Sequence, residues 1–290
     1  MTEPKPGPLV STGWLERHVD DPSVNIVEVS ADPAEVAAYA GGHVPGSHFA
    51  YWKDLLWHDT GRDFADPETI AARLARYGVN NGDTIALVGD PTQFSTYAFF
   101  VLAMSGLRAN VVHVDGGREK WVAEGRPRSA DVPEPRSGHL DSGPGDQSRR
   151  IGRDEVRAGL TDPRRLLIDV RSPEEYAGER VSPPHFEFDH GAERTGRIPG
   201  ARHLYYADLL GEDGAYLRAE ELRRRFRDLP VEDSEVVLYC RLSHRATSVW
   251  FALEHLLGIE NVRVYDGSWT EWGTIVGFPI ERNGSGLGEN

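Results

Sequence analysis

The chain carries one cysteine in 290 residues, and its neighbours decide what it can do. Cys240 follows the apolar run Val236-Val-Leu-Tyr239 and precedes Arg241-Leu-Ser-His-Arg245, after which residues 246–257 read as a helix. A loop that leaves the carboxyl end of a parallel strand and enters a helix is where open α/β sheets bind ligands. Its backbone N–H groups can converge on an anion, assisted by the positive end of the helix dipole. Arg241, His244 and Arg245 add side-chain positive charge next to the sulfur. Such surroundings are expected to draw the thiol below its free pKa of about 8.5. The expectation is a nucleophilic Cys240 in an anion cradle, with Arg241 and Arg245 as ligands and the backbone amides from Leu242 through Ser243 and His244 to Ala246 completing it. The plain alternative is a small buried hydrophobe, a role that has no need of two arginines in the loop.

The elements that would position this loop occur twice. Asp-Gly stands at 115 and 266 and the closing tryptophan at 121 and 272, an offset of 151 in both cases. Val44-Pro-Gly-Ser47 is echoed by Ile198-Pro-Gly-Ala201. Repetition of this kind marks a duplicated architecture. Strands are predicted at 25–29, 84–88, 111–114, 166–170, 235–239 and 262–265, and helices at 12–19, 67–77, 94–105, 219–226 and 247–257. Nearly continuous apolar strands alternating with helices predict α/β domains, each with a mostly parallel central sheet flanked by helices. The boundaries are 9–126 for the first domain, 127–150 for a Pro/Gly/Ser-rich linker and 151–282 for the second domain. Residues 178–196 have no counterpart in the first copy and are read as a loop bordering the site. In the first copy the matching loop, Gly89-Asp90-Pro91-Thr92-Gln93, offers a carboxylate at the cysteine position and no basic residue, so that copy is expected to be inert.

Composition removes several function classes. With 32 basic and 46 acidic residues the net charge is −14, which disfavours nucleic acid and anionic membranes as partners. No apolar run approaches the roughly 18 residues of a membrane span, and the N-terminal residues lack the apolar core of an export signal, so a cytoplasmic protein is expected. A lone cysteine excludes an internal disulfide and any zinc cluster built on several thiolates. The histidines are scattered, with His185, His190 and His203 forming no ligand motif, and no phosphate loop or dinucleotide fingerprint is present. No metal or organic cofactor is expected. Arg223-Arg224-Arg225 reads as a solvated helix face. Lys5, Lys53 and Lys120 are the only lysines among the 32 basic residues, a bias that points to a GC-rich bacterial genome.

The tandem copies, Ile198-Pro-Gly-Ala201, the loop Cys240-Arg-Leu-Ser-His-Arg245 and the segment Tyr265-Asp-Gly-Ser-Trp-Thr-Glu-Trp272 together resemble the two-domain rhodaneses, the thiosulfate sulfurtransferases, over residues 9 to 281. The resemblance implies an active cysteine in the second domain and an inert first domain. It also implies ping-pong catalysis in which Cys240 takes the outer sulfur of thiosulfate, releases sulfite, and passes the sulfur from its persulfide to cyanide or another thiophile, such as a dithiol protein. In that family a basic second residue in the nucleophile loop goes with thiosulfate, whereas Gly and Ser in the loop go with 3-mercaptopyruvate. Ser243 departs from the glycine common at its place and puts a Cβ where an unusual backbone angle is needed. Related enzymes place a structural aspartate where Asp169 stands and in some cases a substrate-side arginine where Arg171 stands.

Three other readings remain open at this point. A 3-mercaptopyruvate sulfurtransferase would differ only in its donor. An interaction module could use the cysteine as a persulfide carrier or oxidant sensor. A cysteine phosphatase would place five residues between cysteine and arginine, whereas Cys240 and Arg245 enclose four.

Overall fold

The apolar β-branched runs pair in the same order in both halves of the chain. In the first half, strands β1 (Leu9–Val10), β2 (Val24–Ser30), β3 (His48–Tyr51), β4 (Thr84–Asp90) and β5 (Asn110–Val114) form one parallel sheet in the order β1-β5-β4-β2-β3. In the second half, β6 (Arg150–Ile151), β7 (Arg165–Asp169), β8 (Arg202–His203), β9 (Glu235–Tyr239) and β10 (Val262–Tyr265) repeat it as β6-β10-β9-β7-β8. The computed structural model describes residues 5–183 and 192–283. Two compact units result, Met1–Gln147 with Gly211–Tyr216, and Ser148–Leu210 with Leu217–Asn290. Both sheets are wholly parallel, and each is flanked by helices.

Helices α1 (Thr12–His18), α2 (Val36–Ala40), α3 (Trp52–Leu56), α4 (Pro67–Ala75), α5 (Gln93–Met104) and α6 (Gly117–Ala123) belong to the first unit. Helices α7 (Arg153–Ala158), α8 (Pro173–Ala177), α9 (Ala219–Phe226), α10 (His244–Phe251) and α11 (Ser268–Trp272) belong to the second. No helix among the described residues is long and apolar enough to cross a membrane. The two closing tryptophans do the same work in each copy. Trp121 belongs to a buried cluster with Ile26, Val88 and Val112, and Trp272 packs among Tyr239, Tyr265 and Phe278. Burying a side chain of this size contributes roughly 2–3 kcal/mol, and the indole N–H groups are satisfied by the carbonyls of Pro127 and Pro279 at 2.8 Å.

The segment between the copies is docked rather than free. Single β-bridges join Ser129 to His43, Arg136 to Tyr77 and Ser142 to Leu107. Residues 184–191 of the 178–196 stretch, including His185 and His190, lie outside the described residues. Its described end is tied down: the Arg194 guanidinium donates to the carbonyls of Trp272, Gly273, Ile275 and Phe278 at 2.8–3.0 Å.

One sequence expectation is corrected by the register. The offset of 151 that relates Asp115 to Asp266 also relates two left-handed residues, Gly117 (φ 58°) and Ser268 (φ 52°). It places Gly89, not Asp90, at the position of Cys240. Glycine is required there, because a Cβ would lie 2.5 Å from Ser95 Oγ and 2.7 Å from Thr92 Cα. Asp90 stands opposite Arg241 in this alignment, and its carboxylate pairs with Arg118 at 3.0 Å.

Candidate active site

The second sheet has its topological switch between β7 and β9: the chain leaves β7 toward β8 on one side and leaves β9 toward β10 on the other. Diverging connections open a crevice at the carboxyl ends of the strands. Cys240 is the first residue after β9, and residues 170–172 follow β7 across that gap.

The cysteine loop is held from below by the segment after β10. The Cys240 N–H donates to Ser268 Oγ at 3.2 Å, and its carbonyl accepts from Trp269 N at 3.0 Å. The Arg241 carbonyl accepts from Thr270 N at 3.0 Å and from Thr270 Oγ1 at 2.8 Å. The Asp-Gly-Ser-Trp-Thr stretch therefore clamps the backbone of the loop, and its sequence specificity follows from that task. Cys240 itself is 1% exposed, Arg241 and Leu242 are half-buried, and Ser243 to Ala246 are buried.

Ser243 takes the left-handed conformation, φ 71° and ψ −26°, that the sequence suggested a glycine would favour. Its hydroxyl lies 2.5 Å from the Asp266 carbonyl and 3.0 Å from Asp266 Oδ1, so the turn is held by a side chain that glycine lacks. Left-handed backbone costs a non-glycine residue on the order of 1 kcal/mol, and a buried hydrogen bond offsets about as much. Ser243→Ala keeps the strained angle and loses the bond, so it is expected to lower stability by about 1–2 kcal/mol in urea unfolding. Ser243→Gly, which relieves the angle, should cost less.

Because Ser243 turns the chain, α10 begins at His244, three residues earlier than the apolar pattern predicts, and runs into a π-turn at Ala252–Leu256. The shift places Arg245 and Ala246 in the first turn. Their N–H groups precede the first i→i−4 bond of the helix, from Thr247 N to Ser243 O at 2.9 Å, and are not consumed by it. His244 is buried, with its N–H directed to the Leu242 carbonyl at 3.1 Å.

Arg245 has a partner that the sequence did not reveal. Its Nη1 and Nη2 donate to the two oxygens of Glu175 at 2.7 and 2.9 Å, in a fork-to-fork pair buried on both sides. Glu175 is also the third residue of α8, where it closes a capping box with Ser172. Burial pushes its carboxyl up, but Arg245, with Arg171 and the Ser172 N–H, outweighs this and holds it below the ordinary value. Arg245 is raised in turn, against its own burial, by Glu175 and by the neighbouring Cys240 sulfur. Tyr206 is a second residue missed from sequence. Burial raises its phenol, and it interacts electrostatically with Arg245, Cys240 and Glu175.

Arg171 sits elsewhere in the arrangement. It is fully buried and donates to both oxygens of Asp169 at 2.6–3.1 Å and to the Gly196 carbonyl at 2.7 Å. Its guanidinium lies 4.6 Å from the Trp269 ring centroid. It ties β7, the end of the 178–196 stretch and α11 together. His203 contacts the Arg171 carbonyl through Nε2 at 2.8 Å.

A parallel sheet repeated twice, with a cysteine loop at the switch point of the second copy, defines the class. The chain belongs to the rhodanese family: the Rhodanese-like domain matches residues 11–124 and 152–274. Among curated relatives, a "Sulfur carrier protein TtuD" from Thermus thermophilus is 39% identical over 282 residues, covering 96% of this chain and 97% of that one. Proteins named "Putative thiosulfate sulfurtransferase" from Haloferax volcanii and Mycolicibacterium smegmatis are each 38% identical, over 94% of this chain and 96% and 97% of theirs. The fold is also that of the anaerobic ergothioneine biosynthesis enzyme of Chlorobium limicola, solved with trimethyl histidine. It superposes with a TM-score of 0.80 at 22% identity, over 95% of this chain and 70% of that one.

Proposed function

We propose that the protein is a thiosulfate sulfurtransferase working through a Cys240 persulfide. The Cys240 thiolate attacks the outer sulfur of thiosulfate. The sulfur–sulfur bond of the donor breaks, its electron pair leaves with sulfite, and Cys240 keeps the transferred sulfur as a persulfide. A thiophile such as cyanide then attacks the terminal sulfur, departs with it as thiocyanate, and restores the thiolate. The observation that carries this reading is the loop itself: one thiol at the switch point, N–H groups of Arg245 and Ala246 unused by the helix, and Arg241 directly after the sulfur. Preorganised donors of this kind stabilise an anionic donor and its leaving group.

The side chains divide the work. The Nη groups of Arg245 are engaged with Glu175, so Arg245 fixes the first turn and lends the sulfur a nearby positive charge. Arg241 and the amides of Leu242, Ser243, Arg245 and Ala246 receive the donor anion. Arg171 acts from behind, by holding Asp169 and Trp269. The first unit supplies no nucleophile, since Gly89 stands where the cysteine would be.

A second reading has one specific support, the relative named as a sulfur carrier. In it the same persulfide is handed to a protein acceptor rather than to cyanide. Intact-mass measurement tests both. Thiosulfate should add one sulfur atom to the chain, and cyanide should remove it as thiocyanate. A persulfide that resists cyanide but is discharged by a dithiol protein favours the carrier. Loading by 3-mercaptopyruvate and not by thiosulfate refutes the donor assignment, and no loading by either refutes sulfur transfer.

A further inference from the structure

The first unit, which lacks a nucleophile, contains a cavity of about 770 Å³ that the reaction at Cys240 does not use. It lies between α2, β3, α4 and the docked segment 132–138. Its floor is apolar and aromatic. Tyr39 packs against Phe49 at 5.6 Å, and Tyr77 stacks on His48 at 5.0 Å with the rings 19° apart. The phenol of Tyr77 donates to the Phe49 carbonyl at 3.2 Å, which fixes that wall. Ala72 and Ala75 of α4 keep the space open.

The rim combines apolar and cationic side chains. Val36 and Val132 are 50% and 56% exposed, two of the few large apolar side chains left to solvent among the described residues. Beside them stand Arg76 and Arg136, held adjacent by a bond from Arg136 N to the Arg76 carbonyl at 3.2 Å. Both side chains are exposed, and neither guanidinium is paired with a carboxylate among the described residues. His48 is pushed below its ordinary value by burial and by Arg136, so the aromatic floor carries no charge at neutral pH.

A cavity of this size, mostly apolar with a few convergent polar groups, has the make-up of a small-molecule site. Its charge is complementary to an anion, and its lining to a hydrocarbon or aromatic body. We propose that this cavity binds an amphipathic organic carboxylate, with the apolar body on the Tyr39, Phe49 and Tyr77 floor and the carboxylate between Arg76 and Arg136. The fork of a guanidinium matches a planar carboxylate. A compact inorganic anion would leave the apolar floor unfilled.

Titration calorimetry with decanoate, decanol and inorganic phosphate tests the assignment on the full chain. Decanoate should bind once per chain, decanol at least tenfold more weakly, and phosphate not measurably. Arg76→Ala with Arg136→Ala should weaken decanoate about tenfold, the scale of a charge-assisted hydrogen bond, and leave decanol unchanged. Ala72→Trp, on the exposed side of α4, should fill the space and abolish both, with circular dichroism confirming the fold. Equal affinity for decanoate and decanol, an unchanged double variant, binding that survives Ala72→Trp, or no saturation by about 1 mM decanoate would each overturn the proposal.

Discussion

Glu175→Gln is expected to destabilise the second unit by about 3 kcal/mol, the low end of what removal of one partner from a buried ion pair costs. Glu175 is 0% exposed and faces an arginine that is itself 9% exposed. Glutamine keeps one acceptor for the guanidinium but turns an N–H₂ toward the other, and it leaves the Arg245 charge buried without compensation. The melting temperature should fall by on the order of 10 °C. The pH dependence has a definite sign. The Glu175 carboxyl is held below the ordinary glutamate value of 4.5, so its contribution is complete above that value and is lost as the pH falls through its folded pKa. The stability gap between wild type and Glu175→Gln should therefore narrow in acid, and a gap that stays constant down to strongly acidic pH would contradict the pairing.

The same variant separates stability from function. If Glu175 acts only as a strut, replacing both partners by apolar residues of similar size, Glu175→Leu with Arg245→Met, should recover most of the stability, as buried ion pairs often allow, and should also restore sulfur loading. On the present reading the double variant recovers stability alone. Loading stays slow, because the charge beside Cys240 and the geometry of the first helical turn are both gone. A double-mutant cycle on unfolding and on loading rate reports the two couplings separately.

Much of this architecture was legible before any coordinates. Five-stranded parallel sheets leave near-continuous apolar runs, and a duplicated fold leaves an offset that survives in Asp115/Asp266 and Trp121/Trp272. The cysteine loop was legible because its residues are contiguous. The Glu175–Arg245 pair was not, since its members are 70 positions apart and Ser172-Pro-Glu-Glu175 carries a sufficient local explanation as a capping box. The first turn of α10 was missed for a related reason. Helix periodicity reports where apolar faces recur, whereas the start of this helix is set by the left-handed Ser243 and its bond to Asp266. The shift from Asp90 to Gly89 needed strand register, because charge is conspicuous in a sequence and a missing Cβ is not.

Cys240→Ser is expected to abolish sulfur loading entirely, because Cys240 is the only thiol in the chain and a hydroxyl is not appreciably ionised at neutral pH. Wild type should take up one sulfur atom from thiosulfate, and the variant none at any donor concentration. The fold should survive, since serine keeps the Cβ and the backbone bonds to Ser268 and Trp269, and the penalty for a buried hydroxyl is about 1–3 kcal/mol. The first unit sharpens the test. If a sulfhydryl at the end of the central strand were all that the chemistry needed, Gly89→Cys placed in the Cys240→Ser chain would restore loading. It should not. A side chain at 89 would collide with Ser95 Oγ and Thr92, and the adjoining residue is an aspartate paired with Arg118 where the second unit has Arg241. Loading by the Cys240→Ser chain, or rescue by Gly89→Cys, would show that the sulfur is carried without the cradle formed after β9. Failure of both would place the reactivity in the combination of thiol, clamped loop and cations, and not in the thiol alone.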